Sequence, residues 1–243
     1  MSKPVTGRTR QFVIWLDKQI YGLSKHWLAV FNLVVLIYVG LPFLAPVLMK
    51  AGLTIPASTI YTAYSPLCHQ FGFRSWFLFG AQPYYEADDP IWNSLGIDPY
   101  DLLQRWQAKT FVGNEAIGFK VAYCERDVAI YAAIFLGGLI FALLRRSGVK
   151  IRPVNIILYA LVGVGPIALD GFSQLFSQPP FNVIGLREST PLLRTLTGTL
   201  FGLMNVWLAY PYVEESFAEV KLELQAKLAR IGELPDEQPA PGN

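Results

Sequence analysis

The most reactive part of the chain is the stretch of residues 65–75, where Cys68, His69, Gln70 and Arg74 fall within seven positions. Thiols and imidazoles bind zinc and act as nucleophiles or bases, and guanidinium groups bind anions. No other stretch of the sequence combines these groups so densely. We therefore expect a functional site to be built around it.

Three other stretches carry polar side chains at the edges of apolar blocks. Ionisable groups at membrane depth are costly, and they usually face a bundle interior or a water-filled cavity. If the apolar blocks cross a membrane, these groups and the stretch 65–75 meet at one membrane face. The groups are Cys124, Arg126 and Asp127, then Asp170 and Gln174, and finally Arg187, Glu188 and Arg194.

Composition indicates a membrane protein. Of the 243 residues, 53% are hydrophobic and 16% are charged, and the mean hydropathy is +0.35. Soluble domains usually carry about 25% charged residues. The net charge of +2 is too small to indicate a nucleic-acid partner. Four blocks without a charged residue are long enough to cross a bilayer, namely 27–49, 128–144, 153–169 and 196–212.

The expected fold is therefore all-α: a polytopic membrane protein with four transmembrane helices, short interfacial helices and an ordered extracytoplasmic loop region. Gly198 and Gly202, at GxxxG spacing, predict close packing of the last span. We divide the chain into a basic amphipathic interfacial helix (1–26), a four-helix membrane domain (27–212) with an outer insert (81–120), a cytoplasmic amphipathic helix (213–232) and a disordered tail (233–243).

Orientation follows from the positive charges that flank the spans. Five Lys and Arg residues lie in the first 26 positions, and four lie within residues 145–152. Such clusters stay on the cytoplasmic side of a membrane. We expect a cell-membrane protein with both termini in the cytoplasm, so that residues 50–127 and 170–195 share the opposite face.

The loop region between the first two spans has its own pattern. Short apolar helices are predicted over 56–64 and 67–79, with another near 99–108. The many aromatic residues of 61–79 are interpreted as an interfacial belt.

Four ordered motifs resemble a bacterial and archaeal membrane family called DUF2085. They are Cys-His-Gln-x-x-x-Arg-Ser (68–75) followed by Gly80, Cys-x-Arg-x-x-x-x-Tyr (124–131), Leu-Asp-Gly-x-x-Gln (169–174) and Arg-Glu-Ser-x-x-x-x-Arg-x-x-x-Gly (187–198). The resemblance covers residues 60 to 210. It implies a membrane protein and supplies no reaction. Many members have a second cysteine where this chain has Asp127, and the insert 81–120 is longer than usual for the family.

The cysteines leave four interpretations open, one of which is that both are free buried thiols that act as small hydrophobic groups. Cys68, His69, Cys124 and Asp127 offer a ligand set that zinc accepts. Alternatively, Cys68 and Cys124, the two cysteines of the chain, form a disulfide on the oxidising side of the membrane. A third interpretation is that Cys124 is a catalytic thiol at a helix N-terminus.

The remaining polar residues also have two interpretations. They can bind an anionic headgroup, a quinone or another small ligand. Alternatively, they serve as ion-pair scaffolding, in which Asp170 and Gln174 bind Arg187 or Arg194. The candidate ligand-binding residues are His69, Gln70, Arg74, Arg126, Asp170, Gln174, Arg187 and Arg194.

Two functional classes follow. The first is a membrane protein with a metal or small-ligand site on the non-cytoplasmic face, with zinc as the candidate cofactor and enzymatic activity left open. The second is an accessory or structural subunit of a larger membrane complex, with other membrane subunits as partners. A transporter is disfavoured because charges near mid-membrane are missing from the sequence.

Overall fold

Four helices of this computed structural model are long and apolar enough to cross a membrane. The structure describes residues 7–101 and 103–234. The first, second and fourth spans are α1 (Gly7–Lys50), α5 (Glu125–Arg146) and α8 (Pro191–Arg230). The third span combines α6 (Ile156–Leu158), a π-helical segment (Tyr159–Val164) and α7 (Gly165–Phe176). The prediction of an all-α, multi-pass protein with four spans is confirmed.

Glycines of the fourth span allow its backbone to touch that of the second. A Cβ atom at Gly198 would lie 2.7 Å from the carbonyl oxygen of Arg126. At Gly202 a Cβ atom would overlap the carbonyl oxygen of Ile130. Both contacts join positions near the start of each helix, so the two spans run parallel. The close approach predicted from the GxxxG spacing is confirmed.

The first span runs antiparallel to the second. Near its middle, Trp27 packs edge-on against Phe141, which lies close to the end of the second span. Farther along, the Tyr38 ring centroid is 4.7 Å from that of Tyr131, near the start of the second span. The end of the first span therefore lies beside the start of the second.

The third span is likewise antiparallel to the fourth. The Tyr159 hydroxyl donates a hydrogen bond to Asn205 Oδ1 at 3.2 Å, and Gly163 faces Met204. As a result, the first and third spans finish, and the second and fourth spans begin, at the same end of the bundle. We call it the motif end, because all four sequence motifs reach it.

The first and fourth helices are longer than a bilayer requires. At 1.5 Å per residue, the 44 residues of α1 extend about 66 Å, against about 30 Å of hydrocarbon. Their extensions pair at the end opposite the motif end, where Lys227 Nζ lies 2.7 Å from Asp17 Oδ2. The proposed boundaries at 26/27 and 212/213 therefore fall inside continuous helices, and the division into domains stays a prediction. Residues 1–6 and 235–243 lie outside the described residues.

The outward faces of the spans are apolar and exposed. Leu33, Leu136 and Leu161 are each more than half exposed. Exposed leucines over three spans are expected where lipid chains are the solvent, because water would penalise them. The outward faces of the bundle therefore contact the lipid bilayer.

Residues 51–101 and 103–124 fold into a small unit at the motif end, which we call the cap. Its helices are α2 (Thr54–Tyr64), α3 (Pro90–Ser94) and α4 (Gln104–Thr110), and a 3-10 turn spans Gly72–Arg74. Strands β1 (Ser75–Leu78), β2 (Gly113–Asn114) and β3 (Gly118–Cys124) form an antiparallel sheet in the order β1-β3-β2. Strand β3 leads directly into the second span.

The helix predicted over 67–79 is wrong, and the sheet is a minor addition to the helical fold. Phe71, Phe73, Ser75 and Phe77 are buried, so the pattern has the period of two that belongs to extended chain. These phenylalanines are not an interfacial belt. They form the cap core with Trp92, which is fully buried. The predicted helix over 56–64 is confirmed by α2.

A methyl group at Gly202 tests the contact between the second and fourth spans. Gly202→Ala should lower the stability of the detergent-solubilised protein by about 1–3 kcal/mol, because the helices must separate to admit the Cβ atom. The measurement is the thermal unfolding midpoint. Gly40→Ala, in the first span, is the control, because nothing lies within 4 Å of its added Cβ. Equal midpoints for both variants would contradict the close packing.

Candidate functional site

A cavity of about 550 Å³ opens at the motif end, between the cap and the starts and ends of the spans. We call it the polar cavity. All but three of the residues singled out in the sequence line it. Of those three, Asp170 and Arg187 pair with each other, and Asp170 also pairs with the lining residue Arg126. The third, Glu188, pairs with the lining residues Arg74 and Arg194. The lining residues that the sequence predicted are Cys68, His69, Gln70, Arg74, Cys124, Arg126, Asp127, Gln174 and Arg194.

Two thiols and a carboxylate form a compact cluster in the cavity wall. The ligand atoms of Cys68, Cys124 and Asp127 all lie within 4.8 Å of one another, and the cysteine sulfurs are 3.7 Å apart. Cys124 Sγ donates a hydrogen bond to Asp127 Oδ2 at 2.9 Å, because Cys124 ends β3 and Asp127 lies in the first turn of α5. Both cysteines are free thiols in the structure. We call this group the thiol–carboxylate cluster.

Backbone amides surround the sulfur of Cys68. The N–H groups of Gln70 and Cys124 point at it from 3.5 and 3.3 Å. Gln70 adopts a left-handed conformation with φ of 55°, which turns its amide back toward the sulfur. Two different segments, the motif stretch and the end of β3, therefore hold this sulfur in place.

The side chain of Gln70 is used to hold the cap together. Its Nε2 donates to the carbonyl oxygens of Tyr61 and Ala122, both at 3.0 Å, and the residue is 3% exposed. Gln70 therefore joins the motif to α2 and to β3. Its role as a ligand-binding residue stays a prediction.

Protonation differs between the cluster and the neighbouring histidine. The hydrogen bond with Cys68, together with burial, raises the pKa of the Cys124 thiol well above its usual value. Burial lowers the pKa of His69, as do Arg74 and Lys109, while Asp127 opposes them. At neutral pH the structure thus presents a thiol at Cys124 and a neutral imidazole at His69.

His69 does not join the thiol–carboxylate cluster, so the four-ligand set predicted from the sequence is reduced to three. Its ring stacks on Phe71, with centroids 5.4 Å apart, and it lines the cavity separately. The reason is geometric, because the side chains of adjacent residues such as Cys68 and His69 point in different directions.

One carboxylate, that of Glu188, forms ion pairs with three arginines from different parts of the chain. Arg74 Nε lies 2.6 Å from Glu188 Oε1, Arg194 Nη2 lies 2.8 Å away, and Arg105 Nη2 is 3.5 Å from Oε2. Gln174 donates to the same carboxylate. The Glu188 side chain is only 7% exposed. It thereby links the cap, the loop after the third span and the fourth span.

A second centre forms around Asp170 at the end of the third span. Arg126 Nη2 lies 2.5 Å and Arg187 Nη2 2.8 Å from its two oxygens, and Ser189 donates a further bond at 2.7 Å. Pairing of Asp170 with Arg187, one of the two partners suggested from the sequence, is confirmed. Arg194 instead pairs with Glu188 and with Glu125, at 2.9 Å.

Sequence reasoning missed three residues of this network. Arg105 and Gln178 line the cavity, and they bond to each other at 2.6 Å. The third is Glu125, which is fully buried and pairs with Arg194. Signals existed, because Arg105 is the one arginine in the insert 81–120 and Gln178 follows Gln174 by one helical turn.

Lys120 is a buried cation next to the motif stretch. Its ammonium group donates to the carbonyl oxygens of Gln70 at 2.6 Å and Lys109 at 2.5 Å, and the residue is fully buried. Burial lowers its pKa to about 7, with Cys68 opposing and Lys109 reinforcing the shift. This lysine ties the motif to α4 through backbone groups rather than through an ion pair.

Comparisons with known proteins agree with the motif resemblance. The family model described as "Predicted membrane protein (DUF2085)" matches residues 109–208, which include three of the four motifs. An uncharacterised protein of Methanocaldococcus jannaschii is 27% identical over 195 residues, covering 78% of this chain and 93% of the relative. No solved structure matches the chain. The resemblance is confirmed, and these descriptions name no reaction.

Removing the charge of Glu188 should destabilise the protein strongly. In Glu188→Gln, Arg74 and Arg105 lose their counter-charge and Arg194 keeps only Glu125, and such losses at buried sites cost about 3–5 kcal/mol. Thermal unfolding in detergent measures the effect. The control is Glu115→Gln, since Glu115 pairs with Lys50 in a largely exposed bridge for which we expect at most about 1 kcal/mol. Similar losses in both variants would show that Glu188 is not a structural hub.

Lys120 should make stability depend on pH. Between the lowered pKa of about 7 in the folded chain and the ordinary value of 10.5, the unfolded chain binds more protons than the folded one. Stability therefore rises with pH in this window, by up to about 1.4 kcal/mol per pH unit from this group. The measurement is the difference in unfolding midpoint between wild type and Lys120→Met from pH 6.5 to 9.

Exposed Lys150 provides the matched control for this measurement. Lys150→Met should follow the wild-type pH profile, whereas Lys120→Met should lack the rise. A parallel profile for Lys120→Met would mean that Lys120 stays charged in the folded protein.

Proposed function

We propose that this integral membrane protein binds a zinc ion in its polar cavity, through Cys68, Cys124 and Asp127, and that the remainder of the cavity holds a small ligand beside the ion. The observation that supports the proposal most directly is the convergence of two thiols and a carboxylate within 4.8 Å on the wall of one cavity. Cys68 lies 56 residues before Cys124 and 59 before Asp127 in the chain.

The sulfur spacing supports a shared ion rather than a direct bond. With Zn–S distances of about 2.3 Å, a tetrahedral ion holds two sulfurs about 3.8 Å apart. The sulfurs of Cys68 and Cys124 are 3.7 Å apart, whereas a disulfide requires about 2.05 Å. A zinc ion would thus fit between the sulfurs with little movement of either side chain.

The donor set also fits zinc by its chemistry. Thiolates select soft or borderline ions, and a carboxylate is a common additional zinc ligand. Three protein ligands leave one position of a tetrahedral ion for water or a ligand, and zinc bound in this way polarises the group that occupies it. His69, on the same cavity wall, offers a neutral imidazole to a ligand in the cavity.

We further propose that the cavity opens on the extracytoplasmic side of the cell membrane. The basic loop at 145–152 and the basic N-terminal part of α1 lie at the end opposite the motif end. Positive charges at that end favour a cytoplasmic location for both termini. On the outer side, exposure to oxidants makes a Cys68–Cys124 disulfide the competing state of the same pair.

Metal content of the purified protein tests the zinc proposal. Protein purified in mild detergent and equilibrated with zinc should retain one zinc ion per chain by elemental analysis. Cys68→Ala and Cys124→Ser should lose it, and Asp127→Asn should weaken binding about tenfold or more. His26→Ala is the control, because it removes the other histidine of the chain, which lies outside the polar cavity.

The same preparations distinguish the alternatives. Wild-type protein that holds no zinc under reducing conditions contradicts the proposal. A mobility shift on a non-reducing gel that Cys68→Ala abolishes would identify the disulfide. The role as an accessory subunit stays a prediction, and constant co-purification with other membrane proteins, unaffected by the cysteine variants, would favour it.

A further inference from the structure

Guanidinium groups outnumber carboxylates in the ion-pair network of the polar cavity. Within the described residues, five arginines share the three carboxylates Glu125, Asp170 and Glu188. The carboxylate of Asp127 bonds to the Cys124 thiol instead. The network therefore keeps a positive charge whether or not Asp127 is counted. The five are Arg74, Arg105, Arg126, Arg187 and Arg194.

Arg126 has donor capacity that this network does not use. Its Nη2 binds Asp170, but its Nε is buried without a hydrogen-bond partner among the described residues. A buried N–H of a charged group is costly when it lacks a partner. Although Nε itself is buried, the side chain is 22% exposed and lines the cavity, so a ligand oxygen there can reach the exposed part of the guanidinium group.

We propose that the polar cavity binds the phosphate group of its ligand, with Arg126 and Arg74 as the principal donors. The planar fork of a guanidinium group matches two phosphate oxygens. A phosphate monoester carries up to two negative charges, and the arginines exceed their three carboxylate partners by two. The assignment does not rest on zinc, because neither arginine belongs to the thiol–carboxylate cluster.

An apolar rim beside the arginines indicates what else the ligand carries. Leu67, Trp106 and Leu175 line the cavity and are 56%, 65% and 48% exposed. At about 550 Å³ the cavity has the size of a site for a drug-sized molecule, and inorganic phosphate alone would leave most of it unfilled. A phosphate that bears an apolar chain, as in a membrane phospholipid, satisfies both surfaces.

Three probes separate these sources of phosphate in the full chain purified in detergent. They are dioctanoyl phosphatidic acid, inorganic phosphate and dioctanoylglycerol, which has the same chains without the phosphate. Isothermal titration should show saturable binding of the phosphatidic acid, weaker binding of inorganic phosphate and none of dioctanoylglycerol. Equal affinity for both phosphates would support the phosphate site and overturn the role of the apolar rim.

Variants test the residues. Arg126→Gln should weaken phosphatidic acid binding at least about tenfold, the loss expected for one charge-assisted hydrogen bond. Arg146→Gln, at the other end of the same helix and exposed, loses the same charge and should bind as wild type does. Arg126→Lys keeps the charge beside Asp170 and guards against misfolding, and it should bind less tightly than wild type because it lacks the fork.

The proposal is overturned if neither phosphate probe binds better than dioctanoylglycerol, or if both Arg126 variants bind as tightly as wild type. The double variant Cys68→Ala/Cys124→Ser separates this result from the zinc test. It should lose zinc and keep its affinity for phosphatidic acid. Loss of phosphate binding in that variant, with Arg126 intact and the protein folded, would contradict the independence of the two sites.

Discussion

Buried guanidinium groups need counter-charges, and this need organises the motif end of the protein. A charge at the edge of a membrane loses most of its hydration, so an unpaired arginine there is very unfavourable. Each of the three carboxylates that pair with these arginines comes from a different segment. Glu188 lies in the loop after the third span, Glu125 starts the second span and Asp170 lies near the end of the third. Pairing therefore fixes how these segments sit relative to one another.

Packing between the spans also determines which of these charged residues can pair. Because Gly198 and Gly202 bring the fourth span against the second, Arg194 arrives beside Glu125 with both side chains at most 3% exposed. The cap closes the other side, where Arg74 and Arg105 reach Glu188 from the 3-10 turn and from α4. Helix contacts within the membrane thus determine which charges can meet outside it.

The sequence predicted the structure well where the membrane limits the folds that the chain can adopt. Apolar blocks must span, and alternation of the spans brings Cys68, Cys124, Asp170 and Arg194 to one end, so the shared cavity could be inferred before the structure was known. Of the ion pairs, only that of Asp170 with Arg187 was among those suggested by the sequence, because several arginines compete for each carboxylate and only geometry decides between them. Asp170 pairs with Arg126, a combination that the spacing alone does not select.

The sheet of the cap escaped prediction for a different reason. The insert supplies most of the buried cap core, including Trp92 and Ile117, but Phe71, Phe73 and Phe77 from the motif stretch complete it. In a chain dominated by membrane helices, a short run of aromatic residues suggests an interface or another helix. The alternation of large apolar residues in this run was the signal available in the sequence. It identifies a strand only once the pairing of β1 with the distant β3 is known.

The two kinds of chemistry proposed for the polar cavity, zinc binding and phosphate binding, are compatible in charge. Two thiols that exchange their protons for one divalent zinc ion leave the net charge of the thiol–carboxylate cluster unchanged, because two positive charges leave and two arrive. The excess of guanidinium groups is therefore the same with or without metal. An anion that binds to Arg126 would be attracted equally in both states, while only the zinc-loaded state would place a Lewis acid on the same cavity wall. Affinity for the anion and reactivity toward it would thus be controlled by different residues of one cavity.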